Sequence, residues 1–284
     1  MRRRKPFELR KTLFLLPNLI TLSSIFCGFD AIRISATAKT EDDFYRAALL
    51  IVFAMFFDTL DGRVARMTKT QSAFGLQIDS LADVVSFGVA PSILVYQWTL
   101  HRFDTVGLIA AFMFTALGAV RLARFNVLSM GESGKPTKPS KYIVGLPIPG
   151  AAGILVSIVV ANHAVAGAIG GAEYAAVILA ITILLSLLMV STIRFRSFKD
   201  LKLNVRTVGL VAFAIGSSAF ISTQLKPAFV LVWLLGFYVL LGICESLYQL
   251  PARLRGTLAE APVRPSHASL PPRDSAPPAA PPAL

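Results

Sequence analysis

Eight apolar runs, most of them long enough to cross a bilayer as helices, constrain this chain more than any other feature of its sequence. They fall at residues 13–38, 44–60, 84–100, 105–120, 143–161, 174–193, 207–221 and 227–248. A helix rises about 1.5 Å per residue, so a hydrocarbon layer of ~30 Å needs about 20 residues. Only 15% of the residues are charged, against about 25% in an ordinary soluble domain, and the mean hydropathy is +0.65. Inside hydrocarbon, backbone polar groups have to be satisfied internally, and for runs of this length helices do that. The expected fold is an all-α polytopic integral membrane protein of about eight transmembrane helices, a six-helix core plus two.

The formal net charge is +12, which in a soluble protein would raise nucleic-acid binding. Here the positions of the charges argue otherwise. Of the 28 Lys and Arg, 23 lie in residues 1–12, 61–70, 121–141, 194–206 and the tail; the other five are Arg33, Lys39, Arg46, Arg102 and Lys226. By the positive-inside rule this alternation puts both termini and the first set of segments in the cytoplasm, in a multi-pass inner-membrane protein. The basic excess is then topological, with a second use in attracting anionic lipid headgroups, and no nucleic-acid partner is expected. Residues 1–12, basic with interspersed Phe7 and Leu9, suit an interfacial segment on the inner leaflet. MRRRK ahead of an apolar run has the outline of a secretory signal, but the run is too long for one and seven more follow.

The expected organisation is an interfacial segment at 1–12, a core at 13–205, C-terminal transmembrane helices at 206–250 and a tail at 251–284. That tail holds nine of the seventeen prolines and has almost nothing to bury, so disorder is expected. Cys27 and Cys244 stand alone in apolar spans and read as small core hydrophobes.

The chemistry concentrates in FDTLDGRVARMTKTQSAFGLQIDSLAD, residues 57–83, which holds four of the sixteen acidic residues: Asp58, Asp61, Asp79 and Asp83. On helices the first two lie about 60° apart and the last two about 40° apart, so each pair shares a face. Two such faces, joined by a short polar link from Met67 to Phe74, can converge and offer hard oxygen ligands. Each Asp at a span centre costs about 2.5 to 3.5 kcal/mol on insertion scales, which argues against four incidental carboxylates. Carboxylates without His or Cys favour Mg²⁺ or Mn²⁺ over zinc, and Mg²⁺ is commonly shared with substrate phosphates. Gly62 and Gly75 leave room for a ligand, and Arg66 offers a fork for phosphate oxygens.

Other segments border the same face. Pro17 reads as a helix start, and Asn18 and Thr21 are candidates to aim polar groups at a ligand. Arg121 and Arg124 share a helix face with Asn126 nearby; they serve either as positive-inside anchors or as an anion site. Gly145-Leu-Pro-Ile-Pro-Gly150 demands irregular backbone or a helix start. The last two spans carry no buried charge apart from Glu245 and read as packing helices.

Asp58-x-x-Asp61-Gly62-x-x-Ala65-Arg66, eight residues, then Gly75-x-x-x-Asp79-x-x-x-Asp83 resembles the signature of the CDP-alcohol phosphatidyltransferase family at all nine fixed positions. PNLITL, SLADVVSFGVAPS, RLARFNV, GLPIPGAAG and STIRFRSFKDL are similar to its serine-using members, and the likeness covers roughly residues 10–205. The resemblance implies transfer of a phosphatidyl group from CDP-diacylglycerol to the serine hydroxyl, with release of CMP. It implies that Asp58, Asp61 and Asp79 hold Mg²⁺ or Mn²⁺, and that Asp83 is the base and ligates a second ion. It also implies that Gly62, Ala65, Arg66 and Gly75 line the CDP site. Serine needs a partner for its carboxylate, for which Arg121, Arg124 and Asn126 are the candidates. A homodimer in the lipid bilayer is the expected assembly. The competing readings are a sister transferase using glycerol 3-phosphate, inositol phosphate or choline, and a divalent-cation transporter.

Overall fold

The structure is a computed structural model that describes residues 9–68, 70, 72–129, 142–196, 205–224 and 226–259. Among the described residues are nine α-helices and a two-stranded ribbon, besides short 3-10 turns: α1 (Leu9–Thr37), α2 (Glu41–Met67), α3 (Ala73–Asp83), α4 (Ala90–Trp98), α5 (Asp104–Ser129), β1 (Tyr142–Val144), α6 (Ile148–Ala164), α7 (Ala172–Val190), β2 (Arg194–Arg196), α8 (Val205–Gln224) and α9 (Ala228–Ala259). A π-helical turn, Val84–Val89, joins α3 to α4 without a break. The eight expected spans therefore appear as helices, the third made of α3, the π-turn and α4 in one rod.

Among the described residues four segments are long and apolar enough by themselves to cross a membrane: Leu16–Thr37, Ala73–Trp98, Leu100–Leu128 and Ala172–Val190. Ile148–Ala164 and Ala228–Ile243 are shorter apolar helices. Large side chains such as Phe26, Phe29, Phe53, Phe56 and Phe112 are more than half exposed, as expected where the solvent is lipid. Little apolar driving force then holds the helices together, and small residues and interhelical polar contacts take over.

The packing of α1 on α2 follows this rule. Ala31, Ala47, Ala48 and Ala54 are fully buried. The hydroxyl of Ser24 donates to the carbonyl of Ala54 at 3.1 Å, while the Ser86 hydroxyl donates to the carbonyl of Ser24 at 3.0 Å. A side chain at Gly28 would sit 2.8 Å from the Ser86 Cα, so glycine is what lets the π-turn reach α1.

Helix α2 starts at Thr40, whose side chain accepts from the Asp43 N–H while the Asp43 carboxylate accepts from the Thr40 N–H. Helix α6 is central: Ala151, Ala152, Leu155, Val156, Ser157 and Val159 are all essentially buried, the all-round burial of a helix apolar on every side. It opens as the two prolines require, with Pro147 as the extended N-cap and the next proline in the first turn. At the end of the bundle away from Asp58 and Asp83, Asn162 donates to Glu41 at 2.6 Å. There the ring of Tyr45 also stacks on His163 at 4.0 Å.

Two expectations are revised. Pro17 lies inside α1, because helix begins by Leu9; its missing N–H costs one backbone bond, which membrane helices accommodate. Helix α9 continues past Pro251 to Ala259. Residues 1–8 of the expected interfacial segment and 260–284 of the tail lie outside the described residues, as does the side chain of Glu245. The chain divides into two compact units, Met1–Ser246 and Leu247–Leu284.

Candidate active site

The last turns of α2 and the body of α3 bring the acidic residues together. Met67 ends α2, where the Thr68 N–H returns to the carbonyls of Val64 and Arg66. Ser72 then caps α3 by accepting from the Gly75 N–H at 3.0 Å. After this short link α3 packs against α1, and the carboxylates of α2 and α3 converge. Ligand oxygens of Asp58, Asp61 and Asp79 lie within 4.8 Å of one another.

Such a triad is costly unless a cation compensates it, and Asp61 is only 4% exposed. Like charges held this close in a shielded place need a counter-charge. Three carboxylate donors, with no His or Cys among them, suit a hard divalent ion. The donor set therefore fits the metal that the sequence motif implies.

Asp83 stands next to this triad. Its carboxyl comes within hydrogen-bonding reach of Asp58 and interacts electrostatically with Asp79 and Arg121. One of its oxygens, Oδ1, is shielded from solvent with no hydrogen-bond partner among the described residues. Arg121, from α5, is 8% exposed, and its Nε is likewise shielded and without such a partner. Buried polar atoms normally find partners, and these two lie side by side at the edge of the triad without one among the described residues.

The other expected residues spread around this centre. Arg66 leans over Gly62, since a side chain there would meet the Arg66 guanidinium at 3.5 Å. Ala65 closes the end of α2 by accepting from the Thr70 N–H at 3.1 Å. A side chain at Gly75 would approach Ser72 Oγ at 3.2 Å and Asn18 Oδ1 at 3.9 Å, so Asn18 does border the site. Arg124 is turned from Asp83 towards the end of α7, donating to the Val190 carbonyl at 3.3 Å. Asn126 donates to the hydroxyl of Ser80, the residue after Asp79, at 2.8 Å.

Thr21 is the residue whose part the sequence left most open. Its hydroxyl lies 2.6 Å from Asp61 Oδ2, so α1 orients one carboxylate of the triad. Asp30, further along α1, is paired with Arg33 at 2.7 Å.

A family model described as CDP-alcohol phosphatidyltransferase matches residues 14–188, more than half of the chain. The chain belongs to that family. In this CDP-alcohol phosphatidyltransferase the match takes in α1, the acidic motif, α5, α6 and most of α7, and stops short of α8 and α9. Similar proteins include one from Helicobacter pylori, 38% identical over 236 residues, covering 83% of this chain and 92% of the relative. One from Bacillus subtilis is 35% identical over 184 residues, 65% of this chain and 91% of its own. One from Methanocaldococcus jannaschii is 34% identical over 196 residues, 68% of this chain and 79% of its own. All three are named CDP-diacylglycerol–serine O-phosphatidyltransferase.

Proposed function

We propose that this transferase moves a phosphatidyl group from CDP-diacylglycerol to the hydroxyl of L-serine, giving phosphatidylserine and CMP. The observation that carries the reading is the adjacency of two unlike groups. The Asp58, Asp61 and Asp79 carboxylates suit a cation bound to a diphosphate, and the Asp83–Arg121 pair beside them suits a hydroxyl acceptor that carries a carboxylate. The names of the relatives add support for serine.

Asp58, Asp61 and Asp79 would hold Mg²⁺ or Mn²⁺, and Asp83 would help to hold a second ion. Bound there, such ions would neutralise the diphosphate and stabilise charge on the departing CMP. Asp83 accepts the proton of the serine Oγ, whose lone pair attacks the phosphorus of the phosphatidyl group. The P–O bond to CMP breaks, and its electron pair leaves on the CMP phosphate. Arg121 receives the serine carboxylate in its planar fork, and Arg124 and Asn126 flank it. Gly62, Ala65 and Gly75 leave room for the cytidine diphosphate, and Arg66 pairs with its phosphate oxygens.

In this reading residues 13–205 are the catalytic core, and the acidic face opens to the cytoplasmic side of the inner membrane. There a lipid headgroup and a water-soluble amino acid both reach it. The protein works as a homodimer, with both termini in the cytoplasm, an interfacial segment at 1–12 and a dispensable tail from 251.

The test offers purified protein in detergent CDP-diacylglycerol with Mn²⁺ or Mg²⁺, then serine, glycerol 3-phosphate, inositol phosphate or choline in turn, and measures CMP release. Release with serine alone is the expected result. Release with another acceptor alone reassigns the substrate, and release with none of them sinks the transferase reading.

A further inference from the structure

Helix α5 runs antiparallel to the rod of α3, the π-turn and α4 and packs on the π-turn and α4. Polar side chains tie the two together at two heights. At the first, the Thr115 hydroxyl of α5 lies 3.1 Å from the Gly88 carbonyl oxygen in the π-turn and 2.5 Å from the Ser92 hydroxyl. The Ser92 hydroxyl is itself 2.6 Å from the same carbonyl. The helices are close here, since a side chain added at Gly88 would meet Thr115 Cγ2 at 3.7 Å and its Cα at 3.9 Å. At the second height Asn126 donates to the Ser80 hydroxyl at 2.8 Å.

The acceptor end of the site lies between these ties. Along α5 the order is Thr115, Arg121, Asn126, and back along the rod it is Gly88, Asp83, Ser80. At a rise of ~1.5 Å per residue, Arg121 and Asp83 both stand about 7 to 9 Å beyond the first tie. They come level across the antiparallel pair, with Arg121 Nε and Asp83 Oδ1 shielded and unpartnered among the described residues. Serine is a short acceptor, with only its Cβ and Cα between hydroxyl and carboxylate. A base and a guanidinium that hold both ends at once must therefore keep a fixed spacing, and a misplacement of about 1 Å can cost about 10²-fold in rate. Because α5 carries one group and the rod the other, that spacing is set by how the two helices are held together.

The protons single out Thr115 in the first tie. Two hydroxyls bring two protons to three contacts. Either Ser92 donates to the Gly88 carbonyl and Thr115 to Ser92, or Thr115 donates to the carbonyl and Ser92 to Thr115. Without the Ser92 hydroxyl, Thr115 still reaches the carbonyl and the helices stay tied. Without the Thr115 hydroxyl, Ser92 closes on the carbonyl of its own rod, and the tie to α5 is gone.

We propose that Thr115 is a positioning residue for acceptor choice: its bond to the π-turn at Gly88, with the Asn126–Ser80 bond beyond, fixes the gap between Asp83 and Arg121 at the length of serine. The proposal rests on the reading that Asp83 takes the serine proton and Arg121 the serine carboxylate.

The test measures kcat/KM for L-serine and for L-homoserine, one methylene longer, together with the KM for CDP-diacylglycerol. Thr115→Val keeps the branched shape and loses the donor, Thr115→Ser keeps the donor, and Ser92→Ala is the control for the rod's own bond. The parent protein favours serine by roughly 10- to 200-fold, as for one methylene. Thr115→Val narrows that ratio at least about fivefold and leaves the KM for CDP-diacylglycerol unchanged, while Thr115→Ser and Ser92→Ala keep the parent ratio. Should Thr115→Val not be recovered folded, Thr115→Ala, which also lacks the donor, carries the same expectation. Equal losses on both acceptors, or an unmoved ratio, would show that Thr115 only packs and overturn the proposal. So would a Ser92→Ala ratio as narrow as that of Thr115→Val, or a parent protein that uses both acceptors equally. A parent protein that releases no CMP with serine removes the acceptor reading, and this proposal with it.

Discussion

Thr21→Val is the change that most directly asks whether α1 helps to build the site. The Thr21 hydroxyl has two acceptors in range, Asp61 Oδ2 at 2.6 Å and the Pro17 carbonyl at 3.0 Å. It carries one proton, and the shorter bond to a carboxylate is the stronger. Valine keeps the branched shape and the helical rotamer but cannot donate. Thr21 is 4% exposed, so water has no room to replace the lost donor. A hydrogen bond to a charged group contributes about 1.5 to 3 kcal/mol. At ~1.4 kcal/mol per factor of ten, the expected loss is roughly 10- to 150-fold. Partners that orient metal ligands typically change metal affinity or activity by about 10- to 100-fold when removed, which agrees. The assay is CMP release as a function of free Mn²⁺. Thr21→Val raises the half-saturating concentration at least about tenfold, and Thr21→Ser, which retains the donor, stays within about threefold of the parent. An unchanged half-saturation in Thr21→Val would mean that Asp61 is oriented by something else and that α1 only packs.

Three further outcomes follow from the same geometry. Asp83→Asn abolishes measurable turnover, a loss of at least about 10²-fold for removal of a general base, yet still binds CDP-diacylglycerol in an equilibrium assay; retained turnover would remove Asp83 as the base. Chelation by EDTA stops CMP release, and added Mn²⁺ or Mg²⁺ restores it, because three mutually close carboxylates bind the diphosphate poorly without a cation. Gly145→Ala lowers the melting temperature of the detergent-solubilised protein: Gly145 has φ +79°, and a side chain there would lie 2.2 Å from the Met189 carbonyl oxygen. The left-handed backbone alone costs about 1 to 2 kcal/mol for alanine, and the clash adds to it.

The parts of the site legible in the sequence are those written by local spacing. Asp58 and Asp61 had to share a face of α2, Asp79 and Asp83 a face of α3, and a short polar link had to fold one against the other. The eight apolar runs announced their helices for an equally local reason, the length of a bilayer crossing. Pro17 was misjudged because a proline inside a membrane helix looks in sequence like one that starts it. Arg121 and Arg124, three residues apart, could not be told apart by spacing. Tertiary packing separates them, with Arg121 beside Asp83 and Arg124 bonded to the end of α7.

The π-turn between α3 and α4 deserves its own consequence. An α-helix advances about 100° per residue, and a π-turn spends an extra residue on nearly the same rise. The rod from Ala73 to Trp98 is thereby phased twice, once for Asp79 and Asp83 and again for the apolar face of Leu94, Val95 and Trp98. It works as a vernier, letting catalytic aim and membrane packing be set independently along one piece of chain. Winding the same residues, Val84–Val89, as ordinary α-helix with none removed would swing both carboxylates roughly 100° about the axis, with every acidic side chain still present and none of them facing its partners on α2.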